Sequence, residues 1–122
     1  MSRTEAETRA RDWCAAWNAR DLDAVMAHYA EGVELCSPLV VERFGRTDGW
    51  LRGKGEVRAY FARGMANPDL RFAFEEVRLG VNAVIVLYRR ENGMRVADAN
   101  ELDDAGLIKR MVAGYGGGES DV

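Results

Sequence analysis

The stretch FAFEEVRLGVNAVIVLYRRENGMRVADANELDDAGLIKRMVAGY, residues 72–115, decides the fold. Apolar and polar side chains alternate along most of it, with the period of two that is typical of a half-buried strand. Turn residues such as Asn92 and Gly93 interrupt the alternation and divide the stretch into short runs. The pattern therefore predicts an antiparallel meander of four strands, at residues 72–79, 81–90, 94–102 and 107–115.

The first half of the chain predicts three helices. Thr4 begins a capping box, and apolar residues then recur at helical spacing as far as Trp17. Asp21 is placed to cap a second helix, whose apolar stripe ends at Tyr29. A third helix covers about residues 55–66 and stops where the chain reaches Asn67-Pro68.

The segment between the second and third helices completes the predicted fold. Residues 33–38 alternate like a further strand, and residues 40–53 are predicted as mostly loop because glycines interrupt them. Helices in the first half and a meander in the second predict an α+β fold, with the helices packed against one face of a curved antiparallel sheet.

Length, charge and cysteine content limit the classes of protein to consider. The 122 residues predict a single domain, residues 1–122, with a flexible tail from about residue 116. A net charge of −3 argues against binding to nucleic acid or to an anionic membrane. Cys14 and Cys36 belong to no motif, and there is no apolar signal segment, so we expect reduced thiols in the cytoplasm. With His28 as the single histidine, no metal site or cofactor is predicted.

Asp98 is the main candidate for a functional residue, because its strand carries it on the apolar side. Val96, Asp98, Asn100 and Leu102 share that side, so a carboxyl and an amide are predicted to face the interior. A buried carboxyl without a partner either costs several kcal/mol as an ion or raises its pKa. Two polar side chains on an apolar face also need partners, which favours a pocket. The alternatives are a structural hydrogen bond or an exposed strand end.

Several aromatic residues could line such a pocket. Each of them alone is more often plain core than part of a binding site. Taken together with the polar pair, the predicted ligand-binding residues are Trp13, Trp17, Ser37, Phe61, Tyr88 and Asn100.

Three segments resemble one known superfamily. Residues 13–25, WCAAWNARDLDAV, continue through His28-Tyr29-Ala30-Glu31-Gly32 to Ser37-Pro38, and this run resembles the nuclear-transport-factor-2-like superfamily. Its closest likeness there is to the ketosteroid isomerase and SnoaL-like (polyketide cyclase) branch. Residues 52–61, RGKGEVRAYF, are similar to the third helix of that family, and residues 101–108, ELDDAGLI, to its closing hairpin.

The resemblance implies a cone, in which a strongly bent antiparallel sheet wraps around three helices and leaves an apolar pocket at its open end. It also implies a homodimer formed through the outer face of the sheet. In ketosteroid isomerases, two carboxylates and a tyrosine carry out the chemistry in the pocket.

Individual positions in this sequence both match and depart from that pattern. Asp98 stands where the resemblance places the hydrogen-bond-donating aspartic acid. Ser37 occupies the position of the general-base aspartate, and a serine hydroxyl needs a base of its own to accept a proton near neutral pH. Trp13 occupies the position of the tyrosine, and its indole N–H can still donate a hydrogen bond, but less acidically and from a different place. Related hydrolases and cyclases place an acid before the last aromatic residue, where this chain has Gly114-Tyr115.

These observations lead to two hypotheses of different classes. The first is a pocket protein for a small hydrophobic or cyclic carbonyl or hydroxyl compound, in which Asp98 is the acid or base for isomerisation, enolisation or dehydration. The second is a non-catalytic module of the same fold that binds a ligand or forms a dimer. A further, structural reading has Asp98 joining the end of the first helix to the sheet.

A second ionisable group would distinguish an enzyme from a binding module. An enzyme is expected to place Glu34, Glu76 or Tyr88 within hydrogen-bond reach of the Asp98 carboxyl. A binding module is expected to surround the carboxyl with apolar neighbours and satisfied amides.

Overall fold

The structure is a computed structural model that describes residues 1–116. Its helices are α1 (Arg3–Asn18), α2 (Leu22–Met26), α3 (Pro38–Phe44) and α4 (Lys54–Met65). Its strands are β1 (Tyr29–Cys36), β2 (Trp50–Arg52), β3 (Ala73–Gly80), β4 (Ala83–Arg89), β5 (Arg95–Leu102) and β6 (Ile108–Gly116). The tail predicted from about residue 116 falls on residues 117–122, outside the described residues.

The six strands form one curved sheet in the order β2-β1-β6-β5-β4-β3. Strands β3 to β6 make the predicted antiparallel meander, which confirms the α+β fold class. One pair departs from the antiparallel expectation, because β1 runs parallel to β6. No tight turn joins these two strands, so the direction of their pairing is not set by a local sequence signal.

The beginnings of the first two helices follow from polar caps. The side chain of Ser2 accepts a hydrogen bond from the backbone N–H of Glu5 at 3.1 Å, and its hydroxyl contacts the Glu5 carboxylate at 3.4 Å. The capping box of α1 therefore starts at Ser2, two residues before the predicted Thr4. Asp21 caps α2 as predicted, since its carboxylate accepts from the N–H of Ala24 at 3.1 Å.

Two local predictions are wrong in the region between α2 and α4. Tyr29 does not belong to the stripe of the second helix but opens β1, where it is fully buried. Residues 40–53 are not mostly loop, because α3 and the short strand β2 occupy much of this segment. Ser37 is the N-cap of α3 and Pro38 its first residue, so Ser-Pro both ends the strand and starts a helix.

The core lies between the helices and one face of the sheet. Helix α1 packs against β3, and α4 packs against β1 and α2. Aromatic rings fill the centre, with Trp13, Trp17, Phe72 and Tyr88 in a chain of contacts at centroid distances of 4.6–6.1 Å. Within residues 1–116, no helix has the length and apolar character needed to cross a membrane.

Candidate functional site

Asp98 lies on the inner face of β5, as the alternation of its strand predicted. The side chains of β5 alternate between more exposed and buried positions, and Asp98 is only 1% exposed. Val86 on β4 and Ala113 on β6 are its neighbours across the sheet. The carboxyl is therefore held in the core on β5, between β4 and β6.

The two oxygens of the Asp98 carboxyl have different surroundings. The hydroxyl of Tyr88 donates a hydrogen bond to Oδ2 at 3.2 Å, whereas Oδ1 has no hydrogen-bond partner among residues 1–116. This bond goes to β4 and not to α1, so the reading in which Asp98 joins the first helix to the sheet is wrong. A buried oxygen without a partner costs about 1–3 kcal/mol, which makes Oδ1 a natural ligand contact.

The ionisation of Asp98 is shifted toward neutral pH. Burial raises the pKa of the Asp98 carboxyl from its ordinary 3.8 to about 7, while the Tyr88 hydrogen bond and the charge of Arg90 act in the opposite direction. Both the protonated and the ionised forms are therefore present near pH 7. A group in this state can both donate and accept a proton.

Tyr88 is the second ionisable group that the sequence predicts for an enzyme. Burial and the nearby Asp98 charge raise the pKa of the Tyr88 hydroxyl well above its ordinary value, so Tyr88 stays protonated and acts as a donor. The other two candidates point elsewhere, because Glu34 pairs with Arg52 and Glu76 with Arg78 on the surface.

Asp98 shares a cavity with most of the predicted site residues. The cavity has a volume of about 40 Å³ and its wall includes Trp13, Trp17, Ser37, Phe61 and Tyr88. The indole N–H of Trp17 is buried and has no hydrogen-bond partner in the described part of the chain. The wall thus contains one unsatisfied donor as well as the unsatisfied oxygen of Asp98, and a hydroxyl or carbonyl compound could satisfy both.

Ser37 and Trp13 line this cavity, but their polar atoms already have partners. The hydroxyl of Ser37 accepts hydrogen bonds from the backbone N–H of Leu39 at 3.2 Å and from Tyr60 at 3.4 Å. The indole N–H of Trp13 donates to the hydroxyl of Tyr29 at 3.0 Å. The expectation that Trp13 donates to a ligand is therefore wrong for this arrangement of the side chains.

Asn100 does not share the cavity of Asp98. It lines a second cavity, also of about 40 Å³, together with His28, Val84 and Leu102, and its Oδ1 has no partner among residues 1–116. Trp13 is the residue that the described walls of the two cavities share. The prediction that Asn100 and Asp98 hold one ligand together is not met, although both lie on the inner face of β5.

Two arginines of the Asp98 cavity, Arg90 and Arg43, were missed as site residues. Arg90 directly follows β4, and its guanidinium donates to the hydroxyl of Tyr115 on β6 at 3.2 Å. The spacing of two from Tyr88 to Arg90 was the available signal for a shared face. Arg43 belongs to α3, so no sequence signal could place it while that segment was read as loop.

The described residues offer no ready metal centre. Among residues 1–116, no three side chains of His, Cys, Asp or Glu lie close enough together to hold a metal ion. The donors in the Asp98 cavity are hydroxyl, indole and guanidinium groups around a single carboxyl. This set suits an organic molecule with polar oxygens.

Comparison with known proteins supports the fold. Residues 10–111 match the family model of the SnoaL-like domain. A SnoaL-like protein of unknown function from Burkholderia thailandensis is 35% identical, over 95% of this chain and 98% of that chain, with a TM-score of 0.90. A candidate isomerase of the SnoaL-like family from Agrobacterium tumefaciens is 22% identical, over 93% and 99% of the two chains, with a TM-score of 0.72.

A more distant structure agrees with this architecture. A protein with a cystatin-like fold from Methylobium petroleophilum is 17% identical, over 99% of this chain and 82% of that chain, with a TM-score of 0.75. At the identities of this and the Agrobacterium protein, the likeness shows the fold alone. No sequence among curated proteins matches this chain.

Proposed function

The chain belongs to the SnoaL-like domain family, as its sequence resemblance predicted, and from this premise we propose that it binds a small hydrophobic or cyclic carbonyl or hydroxyl compound and moves a proton on it with Asp98. One observation carries the proposal. Asp98 is buried in a cavity, its Oδ1 has no partner in the described chain, and its pKa is raised to about 7. Ionisable groups with such shifts in a cavity are typical of sites of proton transfer.

The proposed reaction class is enolisation, isomerisation or dehydration. In its ionised form, Oδ1 of Asp98 would take a proton from the carbon next to a carbonyl group, and in its protonated form it would return the proton to the same or another carbon. In a dehydration the proton would instead go to the hydroxyl group, which leaves as water when its C–O bond breaks. Tyr88 would hold the carboxyl in place through Oδ2. The unpaired N–H of Trp17 would donate to the oxygen on which negative charge develops.

The size of the cavity implies that a ligand displaces side chains when it enters. A volume of about 40 Å³ holds a few water molecules. Pockets that enclose a small organic molecule are typically about 300–1,000 Å³. Leu39, which is half-buried in the wall on α3, is the residue that we expect to move.

We extend the proposal to assembly and compartment. A single domain is proposed to pair with a second copy through the outer face of its sheet, where Val112 of β6 is 40% exposed and lies beside Ala99 of β5. Burial of these apolar side chains against a second copy would remove them from water. Cys14 and Cys36 are free thiols, which fits the proposed cytoplasmic location.

A non-catalytic binding function remains the second candidate, because one observation favours it. Ser37, at the position that the family resemblance gives to a general base, carries a hydroxyl engaged with Leu39 and Tyr60. Asp98 then carries the single carboxyl group in the described wall of the cavity. A ligand could be bound through Asp98 and Trp17 without any proton leaving its carbon atoms.

Deuterium exchange separates the two candidates. Cyclohexanone and cyclohexenone would be incubated with the protein in D₂O at pH 7, and exchange next to the carbonyl followed by NMR. Binding would be followed in parallel by tryptophan fluorescence. The proposal expects faster exchange with the native protein and its loss in Asp98→Asn, with Asp104→Asn, at an exposed acid, as the matched control. Binding without exchange would support the binding module, and the absence of both would contradict the proposed function.

A further inference from the structure

Two guanidinium groups lie in the wall of the Asp98 cavity, and they differ in their partners. Arg90 is 8% exposed, forms an ion pair with Glu91 at 3.2 Å and donates to the hydroxyl of Tyr115. The guanidinium carbon of Arg90 also lies 5.3 Å from the centroid of the Phe72 ring, and this cation–π contact helps to hold the side chain in place. Arg90 is therefore a satisfied structural cation.

The guanidinium of Arg43 has no comparable partners to offset its charge. Its side chain is half-buried, and among residues 1–116 it forms no hydrogen bond and no ion pair. The sole hydrogen bond of this residue to a side chain is made by its backbone carbonyl, which accepts from Arg63. A guanidinium that is partly withdrawn from water without an anion is unfavourable, because burial penalises an unpaired charge.

The position of Arg43 is defined by a glycine of α4. A Cβ atom at Gly64 would lie 3.4 Å from Nη1 of Arg43 and 3.4 Å from the ring of Trp17. The absence of a side chain at this buried helical position lets both groups approach α4 together. The guanidinium is thus packed close to Trp17, whose N–H is the unsatisfied donor of the same cavity.

The charges of the cavity wall do not balance. Glu91 offsets the charge of Arg90, and Asp98 is the acidic side chain in the described wall. Asp98 is at most partly ionised near pH 7, so Arg43 leaves a positive charge in a protein whose net charge is −3. The guanidinium presents planar paired donors, which match a carboxylate group.

We propose that Arg43 is the anchor of a carboxylate subsite, so that the ligands of this cavity are small cyclic or aromatic carboxylic acids with a hydroxyl or carbonyl group directed toward Asp98. This inference rests on the proposed function, since it names the substrate class of the same site. The acid group would lie against Arg43 near α3, and the apolar ring would lie among the aromatic side chains between Arg43 and Asp98.

A pair of compounds that differ only in charge tests the inference. Binding of para-hydroxybenzoate and of its neutral analogue para-hydroxybenzamide would be measured by calorimetry and by tryptophan fluorescence at low salt. The acid is expected to bind about tenfold more tightly than the amide, because a charge-assisted hydrogen bond replaces a neutral one. In Arg43→Gln, the acid is expected to lose this advantage while the affinity of the amide is unchanged.

Two variants control for folding and for surface charge. Arg43→Lys keeps the charge and is expected to retain part of the preference for the acid. Arg58→Gln removes a guanidinium that contacts Asp23 on the surface, outside the cavity wall, and is expected to keep the full preference. Thermal unfolding of each variant shows whether α3 is still docked.

The outcomes separate this inference from the function on which it rests. If the amide binds and the acid binds no more tightly, the carboxylate subsite is refuted while the apolar pocket at Asp98 stands. If Arg43→Gln lowers the affinities for the acid and the amide equally, the carboxylate subsite is also refuted, because Arg43 would then support the fold of the cavity. If neither compound binds, the carboxylate subsite and the proposed pocket fail together.

Discussion

The hydroxyl of Tyr88 lies 3.2 Å from Oδ2 of Asp98 and donates a hydrogen bond to it. Within the described structure, this is the hydrogen bond that holds the side-chain carboxyl. A hydrogen bond donated to a carboxylate stabilises the ionised form and lowers its pKa. Tyr88→Phe removes the bond and keeps the ring, so we expect the pKa of Asp98 to rise above about 7. Carboxyl-carbon NMR titration measures this value, with Asp98→Asn to assign the signal.

The control for this prediction is Tyr60→Phe, which removes the hydrogen bond to Ser37 and leaves Oδ2 with its donor. Its effect on the pKa of Asp98 is expected to be much smaller. A pKa that is unchanged or lower in Tyr88→Phe would show that Tyr88 does not stabilise the ionised carboxyl.

The buried carboxyl also predicts how stability depends on pH. The folded protein holds the Asp98 proton up to a pKa of about 7, whereas the unfolded chain releases it near the ordinary 3.8. Between these values the folded state binds more protons, so the free energy of unfolding falls as pH rises from about 4 to about 7. The difference corresponds to a few kcal/mol.

Asp98→Asn cannot ionise and should remove this dependence. We expect the variant to be more stable than the native protein at pH 8, and the difference to shrink toward pH 5. Urea denaturation at pH 5 and at pH 8 measures the difference in the free energy of unfolding. Asp104→Asn, which replaces an exposed acid, is the control. A gain of stability that is the same at pH 5 and pH 8 would contradict a raised pKa.

The features that the sequence predicted are those set by local alternation. Asp98 could be placed in the interior because Val96 and Asn100 bracket it at a spacing of two, and a strand turns every second side chain to the same face. The position of Arg43 could not be predicted, because it depends on a seven-residue helix that Ser37 caps and Gly45 ends in a left-handed conformation. The separation of Asn100 from Asp98 depends on where the ring of Trp13 packs, which no spacing reveals.

Trp13 is predicted to limit the size of the ligand. It forms part of the walls of both cavities, and its N–H is bonded to Tyr29. Trp13→Leu should join the two spaces, destabilise the protein by about 2–4 kcal/mol through lost packing, and allow a bicyclic phenol such as naphthol to bind. Urea denaturation and calorimetry measure these two effects.

Trp50→Leu is the matched control for this change. Trp50 lies on β2, half-buried beneath the guanidinium of Arg110, and it is absent from the walls of both cavities. Its replacement is expected to leave naphthol binding as in the native protein. If naphthol binds to Trp13→Leu no better than to Trp50→Leu, the two cavities are not joined by removal of the indole.

Ser37 allows the proposed chemistry to be strengthened in one step. It lies in the cavity of Asp98 and is the N-cap of α3, where its hydroxyl accepts from the N–H of Leu39. Aspartate is an equally good N-cap residue, so Ser37→Asp should keep the cap and add a carboxylate at the position of the general base in the resembling isomerases. The nearby charge of Arg43 would favour its ionised form.

We expect Ser37→Asp to exchange deuterium into cyclohexanone faster than the native protein does, because the cavity would then hold a base together with the acid form of Asp98. The second carboxylate should also raise the pKa of Asp98, since like charges oppose ionisation. Ser37→Asn caps the helix without adding a charge and is expected to exchange no faster than the native protein. Equal rates in the two variants, with both folded, would mean that position 37 does not reach the reacting carbon, and the proton transfer would then rest on Asp98 alone.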